Sequence, residues 1–243
     1  MATNGSVSRS DVLPRRSAFP LAASEHQADG KFHLLLACSG SVATIKLPCI
    51  LQALSLHSNL SIRVILTESA SRFLGGQSAE QPALSTLCAI RNVDGVHLDS
   101  DEWTMPWTRG APILHIELRR WADLLVIAPL GANTLAKIAG GLCDDLLTSV
   151  VRAWEVEPET EEGRARQRQI VTAPAMNTAM WRHPLTTKHV RALEEWPWML
   201  MLRPVEKTLA CGDTGDGAMM AWEGIVEVIQ GYIGKGIMRM DAS

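Results

Sequence analysis

Short apolar runs bounded by glycine or polar residues recur along the chain and predict buried β-strands. Such near-continuous runs are typical of strands that are covered on both faces by helices. The predicted strands are Lys31–Cys38, Ser61–Thr67, Val96–Leu98, Leu124–Pro129, Gln169–Ala173 and Met199–Leu202.

Between these runs, apolar residues recur at helical spacing and predict amphipathic helices. Strands that alternate with helices predict an α/β fold, in which a parallel sheet carries helices on both faces. The predicted helices are Ile45–Leu54, a helix that starts at Glu68, Ile113–Ala122, Asn133–Trp154 with an interruption at Gly140-Gly141, Thr186–Glu195 and Ala221–Tyr232.

The pattern predicts one ordered domain at residues 31–235. The polar N-terminal residues 1–30 are expected to be disordered, and residues 236–243 are expected to form a flexible C-terminus. The segment Glu155–Arg168 is highly charged, which favours a solvated surface loop.

Composition narrows the classes of partner. Of the 243 residues, 47% are hydrophobic and 20% are charged, and the formal net charge is -3. These values are typical of a globular protein that binds neither nucleic acid nor a membrane. The apolar runs are too short to cross a bilayer, and residues 1–30 lack the apolar stretch of a secretory signal, which favours a cytoplasmic location.

Cysteine usage supports a reducing compartment. The chain has 5 cysteines, an odd number without regular spacing, which argues against a disulfide scaffold. No pair has the CxxC spacing that structural zinc sites favour, so no metal is expected.

Small polar residues follow four predicted strands. Because ligands of parallel α/β sheets bind beyond the carboxyl ends of the strands, these residues predict a cradle for a phosphate, a ribityl chain and a ring edge. A plain turn in which Ser41 caps the next helix is the alternative reading of the first segment, and the absence of GxGxxG disfavours a dinucleotide. The four segments are Ser39–Val42, Thr67–Ser69, Gly131–Thr134 and Pro174–Thr178.

The glycine-rich segment Leu209–Met219 predicts a mobile loop. Cys211 lies in it between an alanine and a glycine, which is unusual for a buried, inert cysteine. A thiol on a flexible lid is a candidate proton donor or nucleophile. A calcium loop built on Asp213 and Asp216 is disfavoured because the twelve-residue acidic pattern is missing.

Taken together, these segments resemble the flavin-containing cysteine decarboxylases. More narrowly, the chain is similar to the eukaryotic phosphopantothenoylcysteine decarboxylase family of coenzyme A biosynthesis, which includes halotolerance-type flavoproteins. The residues that carry the resemblance are Gly40–Ala43, Leu114–Asp123, Ile127–Pro129, Ala132–Thr134, Ala173–Asn177 and Ala210–Asp213.

This resemblance implies a flavodoxin-like (Rossmann-like), doubly wound sheet in three layers and a homotrimer with FMN at the subunit interfaces. It implies catalytic roles for His115 and Cys211. The implied substrate-binding residues are Asn177, Met180, Leu209 and Ala210. The implied FMN-binding residues are Gly40, Ser41, Val42, Thr67, Ser69, Gly131, Ala132, Asn133, Thr134 and Ala175.

The implied chemistry explains these residue types. Hydride removal from the carbon that bears sulfur forms a thioaldehyde. Its C=S group can accept the electron pair that remains when CO2 leaves. The resulting enethiol is then reduced, and that step needs a proton that Cys211 can donate. Asn177 holds the carboxylate with a neutral amide, and His115 accepts a proton or orients the substrate.

Two positions depart from the pattern of the family. Gly131 stands where a serine is common, so one bond to FMN is expected to pass to the main chain. Thr208 stands where a basic residue is common, so the substrate phosphate is expected to contact Lys207 or Arg203.

Three alternatives stay open at this point. Some fungal relatives inhibit a protein phosphatase, but they typically carry long acidic tails, which this chain lacks. A flavin prenyltransferase on a similar fold would not need Cys211 or the segment Pro174–Asn177. A decarboxylase of peptides that end in cysteine would use the same chemistry on another substrate.

Overall fold

The apolar runs form one parallel sheet, in which the strands at its centre are buried along their whole length. The computed structural model describes residues 21–104, 106–156, 168–208 and 214–240. The sheet has the order β3-β2-β1-β4-β5-β6. Its strands are β1 (Phe32–Cys38), β2 (Leu60–Leu66), β3 (Val93–Leu98), β4 (Leu124–Leu130), β5 (Gln169–Pro174) and β6 (Met199–Met201).

Helices connect these strands and cover both faces. In the described ranges they are accompanied by short 3-10 helices at Ala23–His26, Val42–Lys46 and Asp99–Asp101. The α-helices of the described residues are α1 (Leu47–Leu54), α2 (Glu68–Ser71), α3 (Leu84–Leu87), α4 (Leu114–Trp121), α5 (Ala132–Gly140), α6 (Leu146–Arg152), α7 (Thr178–Arg182), α8 (Pro184–Glu194) and α9 (Trp222–Met240).

The alternation of side chains along β1 divides the core into two layers. Leu34 and Leu36 pack with α1 and α9 on one face, and Leu35 packs with α4, α5, α6 and α8 on the other. Chain order reverses on either side of β1, because β2 and β4 both pair with it in parallel. The predicted three-layered, doubly wound, flavodoxin-like (Rossmann-like) fold is therefore confirmed.

The structure moves both predicted boundaries of the ordered domain. Residues 21–30, predicted to be disordered, include a 3-10 helix, and Leu21 and Ala23 are buried in the second core layer. The Ala23 N–H also donates to Glu117 Oε2 at 2.8 Å. The domain thus begins at least ten residues before the predicted boundary at Lys31, whereas residues 1–20 lie outside the described residues.

At the other end, α9 continues to Met240, so the predicted helix end at Tyr232 and the flexible segment after residue 235 are wrong as far as Met240. Glycines that are typical helix breakers misled the prediction. A Cβ atom on Gly236 would lie 2.6 Å from Phe32 Cδ2, so glycine here allows the helix to lie close to β1.

Part of the glycine-rich segment forms a strand, whereas the sequence predicted a mobile loop. Residues Thr214–Ala218, predicted as part of a mobile loop, form strand β8, which pairs antiparallel with β7 (Val205–Thr208). Glycine is rare in strands, so local propensity does not reveal this hairpin. Helix α7 was also not predicted, because it is only five residues long.

By contrast, the predicted interruption at Gly140-Gly141 is confirmed. Gly141 ends α5 in the left-handed conformation with φ of 73°, which glycine adopts without strain. Residues 157–167 of the predicted surface loop lie outside the described residues. Within the described part of the chain, no helix combines the length and apolar character that spanning a bilayer requires.

Candidate functional site

Ser39 joins the ends of the two central strands. Its buried hydroxyl donates to the Pro129 carbonyl oxygen at 3.1 Å and accepts from the Gly131 N–H at 2.7 Å. These bonds hold the segments after β1 and β4 together. The sequence predicts Ser39 only as a member of the polar segment Ser39–Val42, and its place directly after β1, beside Gly40, was the available signal.

Two glycines let three strand ends approach one another closely. A Cβ atom on Gly40 would lie 2.5 Å from Ser69 Oγ, and one on Gly131 would lie 2.8 Å from the Gly40 carbonyl oxygen. A serine at 131 therefore does not fit this arrangement. The Gly131 N–H itself donates to Ser39 Oγ, so the predicted main-chain bond to FMN at this position stays a prediction.

Ser41 does not cap the following helix, contrary to one reading of the sequence. Its main chain is extended, with φ of -151°, and its side chain makes no capping bond. The next turn is a 3-10 turn, in which the Thr44 N–H donates to the Ser41 carbonyl oxygen at 3.0 Å. The Ser41 hydroxyl is thus not consumed by the turn, and Val42 beside it is exposed.

Thr67 and Ser69 form one unit after β2. Thr67 Oγ1 accepts from the Ala70 N–H at 3.3 Å, which caps α2, and lies 3.2 Å from Ser69 Oγ. Thr67 is buried, whereas Ser69 is exposed. Ser69 is therefore the hydroxyl of this pair that a ligand can reach.

Helix α5 presents its amino end to the same edge of the sheet. Gly131 precedes the helix without a side-chain cap, and Ala132 and the exposed Asn133 form its first turn. The first N–H groups of a helix lack partners within the helix and carry a partial positive charge, which suits an anion. Thr134 is buried behind this turn.

Asn177 follows β5, next to this cradle. The Ala175 N–H donates to the Leu130 carbonyl oxygen at 2.9 Å, which places the segment beside the end of β4. Asn177 Oδ1 accepts from the Met180 N–H at 2.8 Å and so caps α7. Because the oxygen is used in the cap, the exposed amide presents its Nδ2 donor end to a ligand.

The β7–β8 hairpin packs on this segment. The Met176 N–H donates to the Gly217 carbonyl oxygen at 2.9 Å. A Cβ atom on Gly217 would overlap the Met176 carbonyl oxygen, and one on Gly215 would overlap the Thr178 side chain. The predicted residues Leu209, Ala210 and Cys211 connect the two strands and lie outside the described residues.

His115 is held by a carboxylate that the sequence analysis missed. His115 Nδ1 lies 2.9 Å from Glu102 Oε1, and the His115 N–H donates to Glu102 Oε2 at 3.2 Å. Only 5% of the Glu102 side chain is exposed, against 24% for His115. A carboxylate at Nδ1 fixes the ring and leaves Nε2 to exchange a proton. The acidic run that follows β3 was the available signal.

Asp99 connects the support of His115 to the strand ends. Its carboxylate accepts from the Glu68 N–H at 2.9 Å and from the Leu146 N–H at 3.2 Å. The Glu102 N–H donates to the Asp99 carbonyl oxygen at 3.4 Å. Burial raises the pKa of Asp99 above its usual value, against the effect of the two N–H donors.

The predicted site residues thus fall into two groups within one protomer. The strand-end cradle contacts the segment that carries Asn177. The His115 ring bonds to Glu102, whereas the Asn177 side chain bonds to the Met180 N–H. The Asp99–Glu102 turn ties His115 to the end of β2, and β1 and β4 separate β2 from β5. Three strand spacings amount to roughly 14 Å.

An apolar surface adjoins His115. Trp103 and Trp107 are 73% and 55% exposed, although Trp107 Nε1 donates to the Ala111 carbonyl oxygen at 3.0 Å. Together with Glu102 and Ile113, they line a shallow pocket beside the start of α4. Exposed tryptophans that lie close together are typical of a protein interface.

The fold and the site define an α/β protein. At the carboxyl edge of its sheet lie the Asn177 amide and a cradle of uncharged groups that suits an anion. A family model described as Flavoprotein matches residues 22–234. The chain belongs to this flavoprotein family.

Curated relatives share most of the chain. The phosphopantothenoylcysteine decarboxylase of Mus musculus is 39% identical over 216 residues, which cover 89% of this chain and 94% of that protein. The chain spans only 29% of a probable thymidylate synthase of Schizosaccharomyces pombe, to which it is 43% identical over 199 residues.

Solved structures agree with this relationship. The FMN-binding protein AtHal3 is 40% identical, with a TM-score of 0.67, over 84% of this chain and 98% of that one. A PPC decarboxylase mutant complexed with pantothenoylaminoethenethiol is also 40% identical, with a TM-score of 0.67, over 83% of this chain and 98% of that one.

Proposed function

We propose that this protein catalyses the FMN-dependent decarboxylation of 4′-phosphopantothenoylcysteine to 4′-phosphopantetheine in coenzyme A biosynthesis. The observation that carries the proposal is the position of Asn177, an exposed amide that lies beside the strand-end cradle and whose oxygen is used in the cap of α7. The mouse relative and the mutant PPC decarboxylase in complex with an enethiol support the substrate class.

The cradle fits FMN. The close approach at Gly40 and Gly131 leaves main-chain N–H groups and the hydroxyls of Ser41 and Ser69 for a phosphate and a ribityl chain. FMN bound in the cradle supplies a hydride acceptor for the first half of the reaction and a hydride donor for the second.

Asn177 binds the substrate carboxylate through Nδ2. A neutral amide donor orients the carboxylate without adding the strong ground-state attraction of a cation, which would oppose the loss of CO2. Its cap on α7 fixes the amide before the substrate arrives, so little conformational entropy is lost on binding.

His115 and Cys211 carry the protons in this proposal. Glu102 holds His115 Nδ1, which leaves Nε2 to accept a proton or to orient the substrate beside the cradle. Cys211 donates a proton to the enethiol after CO2 is lost. In the sequence, Cys211 lies between β7 and β8, which form the hairpin that packs on Met176.

A second copy of the chain completes the site. Because roughly 14 Å separates the strand that supports His115 from the strand that leads to Asn177, we expect His115 of one protomer to serve the cradle of another. The exposed Trp103 and Trp107 beside His115 offer the apolar contact for this assembly. The inferred assembly is a homotrimer with interfacial active sites.

The phosphate of the substrate is assigned to Lys207. Of the two candidate cations, Arg203 pairs with Glu194, which engages its guanidinium on α8. Lys207 belongs to β7 of the hairpin that packs beside Asn177. With FMN as the cofactor and a phosphorylated metabolite as the substrate, we also assign the protein to the cytoplasm.

A protein phosphatase remains the alternative partner that the resemblance implies. The contacts of the described residues are consistent with the decarboxylase roles proposed for Ser41, Asn177 and His115. The same contacts do not point to a surface that binds a phosphatase. The decarboxylase is therefore the function proposed.

Incubation of the purified, flavin-loaded protein with 4′-phosphopantothenoylcysteine tests the proposal directly. We expect 4′-phosphopantetheine by mass spectrometry, and the Cys211→Ser variant should release CO2 but accumulate the oxidised enethiol. A preparation that cannot be loaded with FMN, or loaded protein that leaves the substrate intact, would contradict it.

A further inference from the structure

A cluster of two histidines and one carboxylate lies at the amino edge of the sheet, where the proposed decarboxylase uses no residue. His26 ends the first 3-10 helix, Asp29 follows it, and His33 is the second residue of β1. The cradle begins beyond Cys38 at the other end of the same strand, on the order of 17 Å away. The cluster is therefore separate from the proposed active site.

The three side chains converge on one point. His33 Nε2 lies 3.1 Å from Asp29 Oδ2, and His26 Nδ1 lies 3.4 Å from the same oxygen. All three potential ligand atoms lie within 4.8 Å of one another. Ligand atoms of a tetrahedral zinc ion, bonded at ~2.0–2.1 Å, are about 3.3 Å apart, so two of the three separations already match.

The most buried ligand has a support that is typical of metal-bound histidine. His33 Nδ1 lies 3.4 Å from Asp123 Oδ2, and the same oxygen accepts from the His33 N–H at 2.9 Å. The His33 ring also packs on Trp121, with the ring centroids 4.7 Å apart. A carboxylate on the second nitrogen fixes the ring and makes the first nitrogen a better ligand.

The other two ligands keep the cluster accessible. About a third of the His26 side chain and a quarter of the Asp29 side chain are exposed. An ion can therefore enter from solvent without opening the core. The Lys31 N–H donates to Asp29 Oδ1 at 3.0 Å, which holds this carboxylate while leaving Oδ2 for the ion.

We propose that His26 Nδ1, Asp29 Oδ2 and His33 Nε2 bind one divalent transition-metal ion of the zinc type, with water as a further ligand. Two imidazoles and one carboxylate suit Zn2+ better than Ca2+ or Mg2+, which prefer oxygen ligands. A bound ion would take the place of the contacts between each histidine and Asp29. The sequence expectation of no metal considered cysteine pairs, and this site uses none.

Bound metal would fasten the first described segment to the sheet. The 3-10 helix Ala23–His26 reaches the core through Leu21 and Ala23, and the ion adds a cross-link from His26 to β1. An ion that binds only the folded chain raises its stability by mass action. This inference does not depend on the proposed decarboxylase.

Metal titration of the purified, chelator-treated protein tests the site. Zn2+ binding is measured by calorimetry, and Co2+ is the spectroscopic probe, because tetrahedral Co2+ shows visible bands and thiolate ligands add distinct charge-transfer bands. We expect one Zn2+ per chain, no thiolate bands, and at least a tenfold loss of affinity in His26→Gln and in Asp29→Asn. Glu25→Gln, which removes an exposed neighbouring charge, is the matched control and should bind like the unchanged chain.

Equal Zn2+ affinity in the unchanged chain, His26→Gln and Asp29→Asn would overturn the proposal, as would thiolate bands that account for all bound Co2+. Circular dichroism and flavin binding of each variant show that it is folded. Since neither substitution touches the cradle, decarboxylase activity should stay unchanged, so a failure of this proposal is distinguishable from a failure of the proposed function.

Discussion

The two edges of the sheet handle polar groups in opposite ways. At the carboxyl edge, the cradle consists of neutral hydroxyls, main-chain N–H groups and the Asn177 amide. At the amino edge, His26, Asp29 and His33 are ionisable groups that pair with one another. Neutral donors can remain without a ligand at a small cost in free energy, whereas partly buried charges need partners that are always present.

A negative charge at the carboxyl edge should have the largest effect. Asn177→Asp keeps the cap on α7, because aspartate accepts from the Met180 N–H as asparagine does. It also places a carboxylate against the substrate carboxylate, which costs several kcal/mol. We expect kcat/KM to fall by more than about 100-fold at an unchanged melting temperature, measured by product formation and calorimetry.

Asn177→Ser provides the control, since serine also caps but adds no charge. It loses only the amide donor, so a smaller fall of roughly 10-fold is expected. Equal losses in the two variants would show that the neutrality of this edge is unimportant.

The close approach of the strand ends should be the next most sensitive feature. Gly131→Ser places a Cβ atom 2.8 Å from the Gly40 carbonyl oxygen, so the segments after β1 and β4 must separate. We expect FMN affinity, measured by fluorescence quenching, to fall at least tenfold and stability to fall by about 1–3 kcal/mol.

Gly231→Ala is the control for Gly131→Ser. Gly231 lies in α9, and a Cβ atom there meets nothing within 4 Å. This substitution should leave FMN affinity unchanged and stabilise the helix by about 0.5–1 kcal/mol. An unchanged affinity in Gly131→Ser would mean that the cradle does not depend on the close approach.

Glu102 is the exception at the carboxyl edge, because it is a buried carboxylate. Its two bonds to His115 show that the charge is used for positioning. Glu102→Gln should lower kcat about 10-fold while FMN affinity stays the same, since only the orientation and polarisation of His115 change. Glu117→Gln, which alters the carboxylate bonded to Ala23, should leave kcat unchanged. Equal kcat losses would indicate a general effect on α4.

The smallest effect is expected at the amino edge. Burial acts to lower the pKa of His33, but its bonds to Asp123 and Asp29 prevail and raise it. Burial acts to raise the pKa of Asp29, but the Lys31 N–H and His33 lower it. Both groups therefore stabilise the fold between about pH 4 and 6.5, and the contribution of His33 is lost as pH rises through its raised pKa.

Asp29→Asn, measured in chelator, should accordingly lower the melting temperature by a few °C near pH 6 and by less near pH 9. A difference that grew from pH 6 to pH 9 would contradict the pairing of charges at this edge.

Sequence patterns recovered the central strands and most helices, because each needs only a local apolar run. They failed where glycine misled them. The hairpin strand Thr214–Ala218 and the end of α9 contain glycines that local propensity disfavours. Their stability comes from packing, as at Gly217 against Met176 and at Gly236 against Phe32.

For the candidate site, the strand-end residues could be predicted because the fold class itself locates them. Glu102 belongs to the acidic run after β3, but it lies thirteen residues before His115, so no local pattern shows that it folds back on the imidazole. Ser39 likewise gains its role only from the strand beside it. The function of Cys211 and the homotrimer remain predictions.

Local sequence patterns were enough to predict the α/β class, the edge of the sheet where the candidate site lies and the residue types that lie there. These follow from periodicity and from groups that lie next to strand ends. The hydrogen bonds that the folded chain uses internally could be read only from the tertiary structure: Ser41 makes no capping bond, whereas the Asn177 oxygen caps α7. The tertiary structure also brought His26 and Asp29 to His33, because whether two side chains meet depends on how the chain folds between them.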